Sequence, residues 1–121
     1  MSVLLLSCQG KASSGTGGDK QVSVPDTVLA YKYKESGKKK SANGDQYGAI
    51  DDYTKAICFN PNYDTAYHNR GVVKAAIGDY NGAISDYNKA IKINPQLKFS
   101  FFSRGNVKVK LKDNIGAMYD F

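Results

Sequence analysis

Between residues 80 and 93 the apolar side chains fall at Tyr80, Ala83, Ile84, Tyr87, Ala90, Ile91 and Ile93, mostly three or four residues apart. That period lays one face of a helix against a core and leaves the other in water. The flanking residues agree. Gly78 suits the left-handed turn that closes a preceding helix, and Asp79 offers a carboxylate to the orphan N–H groups that open the next. Asn94-Pro95 ends the segment, because proline cannot continue the hydrogen-bond ladder and pushes the residue before it out of helical geometry. Upstream, Asp64 is expected to cap a helix running to about Ile77.

The same pattern occurs more than once. Gly37, Gly71 and Gly105 are spaced by 34 residues, as are Ala49, Ala83 and Ala117. Ala56 with Ala90 and Pro61 with Pro95 keep this spacing, and GDQYGAIDDYTKAICFNP (44–61) aligns with GDYNGAISDYNKAIKINP (78–95). A fixed period of this length is the mark of a repeat array in which each unit is a helical hairpin. A third copy starts at Lys98 and reaches Gly116-Ala117-Met118-Tyr119-Asp120-Phe121, half-way through its second helix. Arrays need neighbouring units to bury their faces. The reading therefore predicts a fragment, or an end that self-associates with another copy.

In the second unit Tyr67, Arg70-Gly71, Ala83, Tyr87, Ala90 and Pro95 resemble the signature of the tetratricopeptide (TPR) family. The chain departs from it at Arg70, where Leu is usual, and at Lys74, where Tyr is usual. The resemblance covers about residues 30–121 and is of bacterial type. It implies an all-α fold, a right-handed superhelical array of tandem helix-turn-helix units, about two and a half of them. Units are expected at about 28–61, 64–95 and 98–121, within a domain spanning 27–121. Gly71 with Ala83 and Ala90 is expected to let paired helices approach closely.

Composition narrows the chemistry only slightly. The net charge is +6, and the hydrophobic fraction of 41% suffices for one core. This charge admits acidic peptides, anionic lipid or nucleic acid without selecting among them. Nucleic acid is disfavoured, because no continuous basic stripe is interleaved with base-stacking aromatics. The two cysteines, Cys8 and Cys58, are too few for a disulfide framework and have no companions at metal-ligand spacing. Cys58 reads as a small packing residue rather than a reactive thiol. The lone His68 has no adjacent nucleophile or orienting group, and no phosphate-binding glycine loop is present. The reading is of a non-enzyme without cofactor, metal or small-molecule substrate.

The resemblance implies a concave groove lined by the first helix of each unit. Helical spacing then assigns it Lys34, Lys38, His68, Asn69, Val72, Phe102 and Asn106, together with neighbours such as Tyr31, Thr65 and Phe99. This groove is expected to be basic at one end, polar in the middle and aromatic at the other, and to take a protein or peptide segment. One TPR subclass grips chaperone tails through a two-carboxylate clamp. Lys34 and Asn69 match that clamp, but Lys38 replaces its first-unit Asn, and Phe99 and Ser103 replace its third-unit Lys and Arg. Lys98 and Arg104 stand one residue out of register, about 100° round the helix. Elsewhere, Lys40, Lys74 and Lys108 read as stems lying over apolar surface. Asp52, Asp86 and Asp120 read as partners for Arg70 and Arg104 between stacked hairpins.

Residues 1–26 read as a flexible tail, Gly/Ser-rich over 10–24. Val3-Leu4-Leu5-Leu6-Ser7-Cys8 is similar to a bacterial lipobox, in which Cys8 carries the lipid. That reading predicts a membrane-tethered envelope lipoprotein with a structural or assembly role. The run lacks a charged leader and is short for a signal peptide. The alternative reading is a cytoplasmic protein whose N-terminal leucines bury against the first helix.

Overall fold

The computed structural model describes residues 25–119, with side chains as far as Asp113. Residues 1–24 of the expected tail, Cys8 among them, lie outside the described residues, while Asp26 already opens the first helix. Five helices follow one another: α1 (Asp26–Ala42), α2 (Gln46–Phe59), α3 (Asp64–Ala76), α4 (Tyr80–Ile93) and α5 (Lys98–Tyr119). Pro25 precedes α1, where its missing N–H costs nothing. The chain is all-α among the described residues, a tandem array of hairpins.

The hairpin turns follow from two residues each. Gly44 and Gly78 adopt φ of 90° and 91°, which side-chain-bearing residues rarely do. Asp45 and Asp79 then cap α2 and α4, their carboxylates accepting from Gly48 N at 3.0 Å and Gly82 N at 2.9 Å. The predicted limits of α4 are met residue for residue. The cap of α3 is a correction. Tyr63 occupies that position without a side-chain bond. Asp64 instead lies in the first turn, where its carboxylate accepts from Asn94 Nδ2 at 2.7 Å and ties the two ends of the second hairpin together.

Inside each hairpin the helices meet through small residues. Ala49, Ala56, Ala83 and Ala90 have no exposed surface. The Tyr53 ring lies on Gly37 and the Tyr87 ring on Gly71, so closely that a Cβ there would stand 2.8 and 2.7 Å from ring carbons. Hairpins stack through Ala56, Ile57 and Ala66, roofed by Tyr33, Tyr63 and Tyr67, and through Val107 of α5 against Ala83 and Tyr87.

The third unit differs from the expected half-built hairpin. Its α5 runs unbroken for 22 residues, through the position where a turn was expected. The reason is local: Lys112 stands where Gly44 and Gly78 stand in the other units. A left-handed turn at an L-residue costs about 1–2 kcal/mol, so the helix continues.

The recurring charges form pairs within hairpins. Arg70 holds Asp86 with two bonds of 2.8 Å, and Lys74 approaches the same carboxylate at 3.3 Å. Lys40 meets Asp52 at 3.1 Å, and Ser36 donates to that carboxylate as well. The expectation of acid–arginine pairs between stacked hairpins is thus corrected, since Arg70 and Asp86 belong to one hairpin. So is the reading of Lys40 and Lys74 as mere apolar covers. What crosses to the preceding hairpin is the third guanidinium nitrogen of Arg70, donating to Thr54 Oγ1 at 3.0 Å. Arg104 makes the equivalent crossing, to Asn88 Oδ1 at 2.8 Å.

Candidate functional site

The first helices α1, α3 and α5 lie side by side, α3 touching both others. Along one face of this row none of the positions assigned to the groove is fully buried. Val72 is 44% exposed and Phe102 is 71% exposed, uncommon values for large apolar side chains in a folded chain. A pocket of about 330 Å³ opens between α1, α2 and α3, lined by Lys38, Ser41, Tyr53, Asn69 and Val72 among others. The structure therefore brings Lys38, Asn69 and Val72 into one depression. Asn69 supplies it with a donor and an acceptor, and Val72 with an apolar wall.

Lys34 is placed differently. Its ammonium sits 5.3 Å from the Tyr31 ring centroid and 5.2 Å from that of Tyr63. Its side chain is only 16% exposed, and Glu35 stands 3.7 Å away. The same carboxylate accepts from Lys38 at 3.4 Å. The basic end expected of the groove is thus partly neutralised by Glu35, and Lys34 is held in an aromatic cage.

His68 is half-buried beside α5, its Nδ1 2.8 Å from Ser100 Oγ and its ring 5.5 Å from that of Tyr87. Burial holds its pKa below the ordinary 6.5. Phe102 and Asn106 remain exposed on α5. Two residues were missed by reading the sequence. Tyr53 lines the pocket, and burial, with Glu35 and Asp52 nearby, pushes its phenol up to about 12. Ser100 is fully buried one period after Ala66. A hydroxyl on the small-residue track was the available signal for a polar contact there.

Cys58 is half-buried near the end of α2 and is not a free thiol. Among the described residues no group of His, Cys, Asp or Glu is arranged to hold a metal ion. No helix there is long and apolar enough to cross a membrane.

The profile of the tetratricopeptide repeat family matches residues 65–97, which cover the second hairpin. The second hairpin is a tetratricopeptide repeat. Solved structures agree with the whole arrangement. The chain is similar to the crystal structure of MamA, with 29% identity and a TM-score of 0.69, over 71% of this chain and 50% of that one. It therefore spans about half the length of the MamA chain. It is also similar to the second TPR of Spaghetti (RPAP3) bound to the HSP90 peptide SRMEEVD. There the identity is 25% and the TM-score 0.70, over 79% of this chain and 89% of that one. The first TPR of the same protein, bound to the same peptide, gives 28% and 0.70 over 78% and 77%. A comparison with curated protein sequences finds no match. The TPR fold hosts many roles, so function has to come from the face just described.

Proposed function

We propose that this TPR chain is a non-catalytic interaction scaffold that binds a segment of a partner protein across α1, α3 and α5. The observation that carries the reading is the face itself. Asn69 and Val72 border a pocket beside a row of exposed apolar and polar side chains, with no group beside them arranged for bond-breaking chemistry. The two TPR domains of RPAP3 in the comparison hold a peptide, which supports the same use of this fold here. The favoured ligand is a mixed polar and apolar segment. Its backbone meets Asn69, and its apolar side chains meet Val72 and the ring of Phe102.

A chaperone tail is a poor fit. Lys34 is committed to two rings and Glu35, while Phe99 and Ser103 occupy clamp positions that need cations. The test is a peptide-display selection on the purified chain, followed by titration of selected peptides. Asn69→Ala and Phe102→Ala are each expected to weaken binding about tenfold, as loss of an anchor contact does. Lys89→Ala, on an exposed part of α4, is the control expected to change nothing. The SRMEEVD peptide should bind more weakly than the selected ligands. Unchanged affinity in both groove variants would remove the assignment.

A further inference from the structure

Each closed hairpin holds an acid–aromatic pair of its second helix in a receiving site on its first. Tyr53 and Tyr87 lie on Gly37 and Gly71. The neighbouring Asp52 is met by Lys40 at 3.1 Å, and Asp86 by Arg70 at 2.8 Å and Lys74 at 3.3 Å. The receiving residues recur on α5 as Arg104, Gly105 and Lys108. There the site is open. A Cβ on Gly105 would meet nothing within 4 Å, and Gly105 and Lys108 are both exposed. Among the described residues Lys108 joins no ion pair. Two apolar neighbours are left uncovered. Val109, one period after Ala75 that packs near Ala83 and Tyr87, is 59% exposed. Phe102, one period after the His68 that packs on Tyr87, is 71% exposed.

The sequence contains a third acid–aromatic pair, Asp120-Phe121. It cannot reach the α5 site of its own chain while α5 is unbroken. At about 1.5 Å per residue, Tyr119 lies roughly 21 Å along the axis from Gly105. Two further residues span at most about 7 Å. Folding back would require the left-handed turn that Lys112 disfavours.

We propose that two copies of the chain exchange these segments, Asp120-Phe121 of each filling the Arg104–Gly105–Lys108 site of the other. The carboxylate is complementary to the two cations, and the ring covers the glycine beside Phe102 and Val109. The exchange continues the hairpin packing already present and is two-fold symmetric, the usual form of a swapped dimer. It shares Phe102 with the groove but makes no use of Asn69 or the pocket, so Asn69→Ala and Asp120→Lys separate the two readings.

Sedimentation equilibrium of the full chain tests it, with circular dichroism confirming that each variant is folded. The wild type is expected to dimerise. Asp120→Lys and Gly105→Leu should each weaken the dimer at least about tenfold, as loss of one member of a desolvated pair does. Lys112→Gly should permit closure within one chain and give monomer. A charge-exchange mixture guards against variants that lose affinity for other reasons. R104E/K108E and D120K should each associate poorly alone and regain dimer when combined. A wild type that stays monomeric up to about 0.1 mM overturns the proposal. So does wild-type affinity in Asp120→Lys, Gly105→Leu or Lys112→Gly, or a mixture that gains nothing.

Discussion

The recurring glycines are places where a ring lies on backbone. A methyl group at Gly71 would stand 2.7 Å from a Tyr87 carbon and 3.2 Å from the Ala83 carbonyl oxygen, which cannot swing aside. Gly71→Ala is therefore expected to destabilise the chain by about 1–3 kcal/mol in urea unfolding, although alanine is the better helix former. The spacing of Gly71, Ala83 and Ala90 was enough to predict a close helix contact. It could not identify the Tyr87 ring as the covering group. His68 shows the opposite limit. Helical register placed it on the open face, but it is half-buried there with its ring nitrogen against the buried hydroxyl of Ser100 on α5. Its folded pKa lies below the unfolded 6.5, so the folded state resists taking up the proton. Stability from this source is complete above the unfolded value and declines as pH falls through 6.5 towards the lower folded value. Unfolding at about pH 7.5 and about pH 5.5 should show this loss, and His68→Gln should abolish most of it.

At the scale of elements, turns decide where helices stop. Gly78→Ala is expected to cost about 1–2 kcal/mol, because an L-residue would inherit a φ of 91°. Loss of thermal stability checks it. The Gly-Asp signal was local and strong, which is why α4 was legible to the residue. The third unit was misread because similarity to the earlier copies suggested a hairpin there. The absence of glycine at Lys112 is a single-residue departure, and it removes the stop that Gly44 and Gly78 supply in the other units. The ion pairs were half legible. A constant period showed that Lys74, Asp86 and Arg70 belonged together. Which hairpin they joined depended on the rotation of α3 about its axis, which spacing does not give.

The described residues form a row in which each helix packs mainly against the next in sequence, and the first helices also touch the neighbouring first helix. Such arrays are stabilised unit by unit and by nearest-neighbour interfaces. Its fold class followed from the repeat, as did the face proposed here for binding. The chemistry of that face did not, because Tyr31 and Glu35 of α1 and Tyr63 of the following loop converge on Lys34. Arg70 carries a consequence for how the row assembles. One guanidinium closes the second hairpin through Asp86 and docks it on the first through Thr54. Once Asp86 has fixed that planar group, its remaining nitrogen is already aimed at the neighbour, so docking costs less conformational entropy in a closed unit. Closing and docking are then thermodynamically linked events. A double-mutant cycle of Thr54→Val and Asp86→Asn should show a coupling energy of about 0.5 kcal/mol or more, although the two side chains are joined only through Arg70. That coupling would make the two hairpins melt as one cooperative unit.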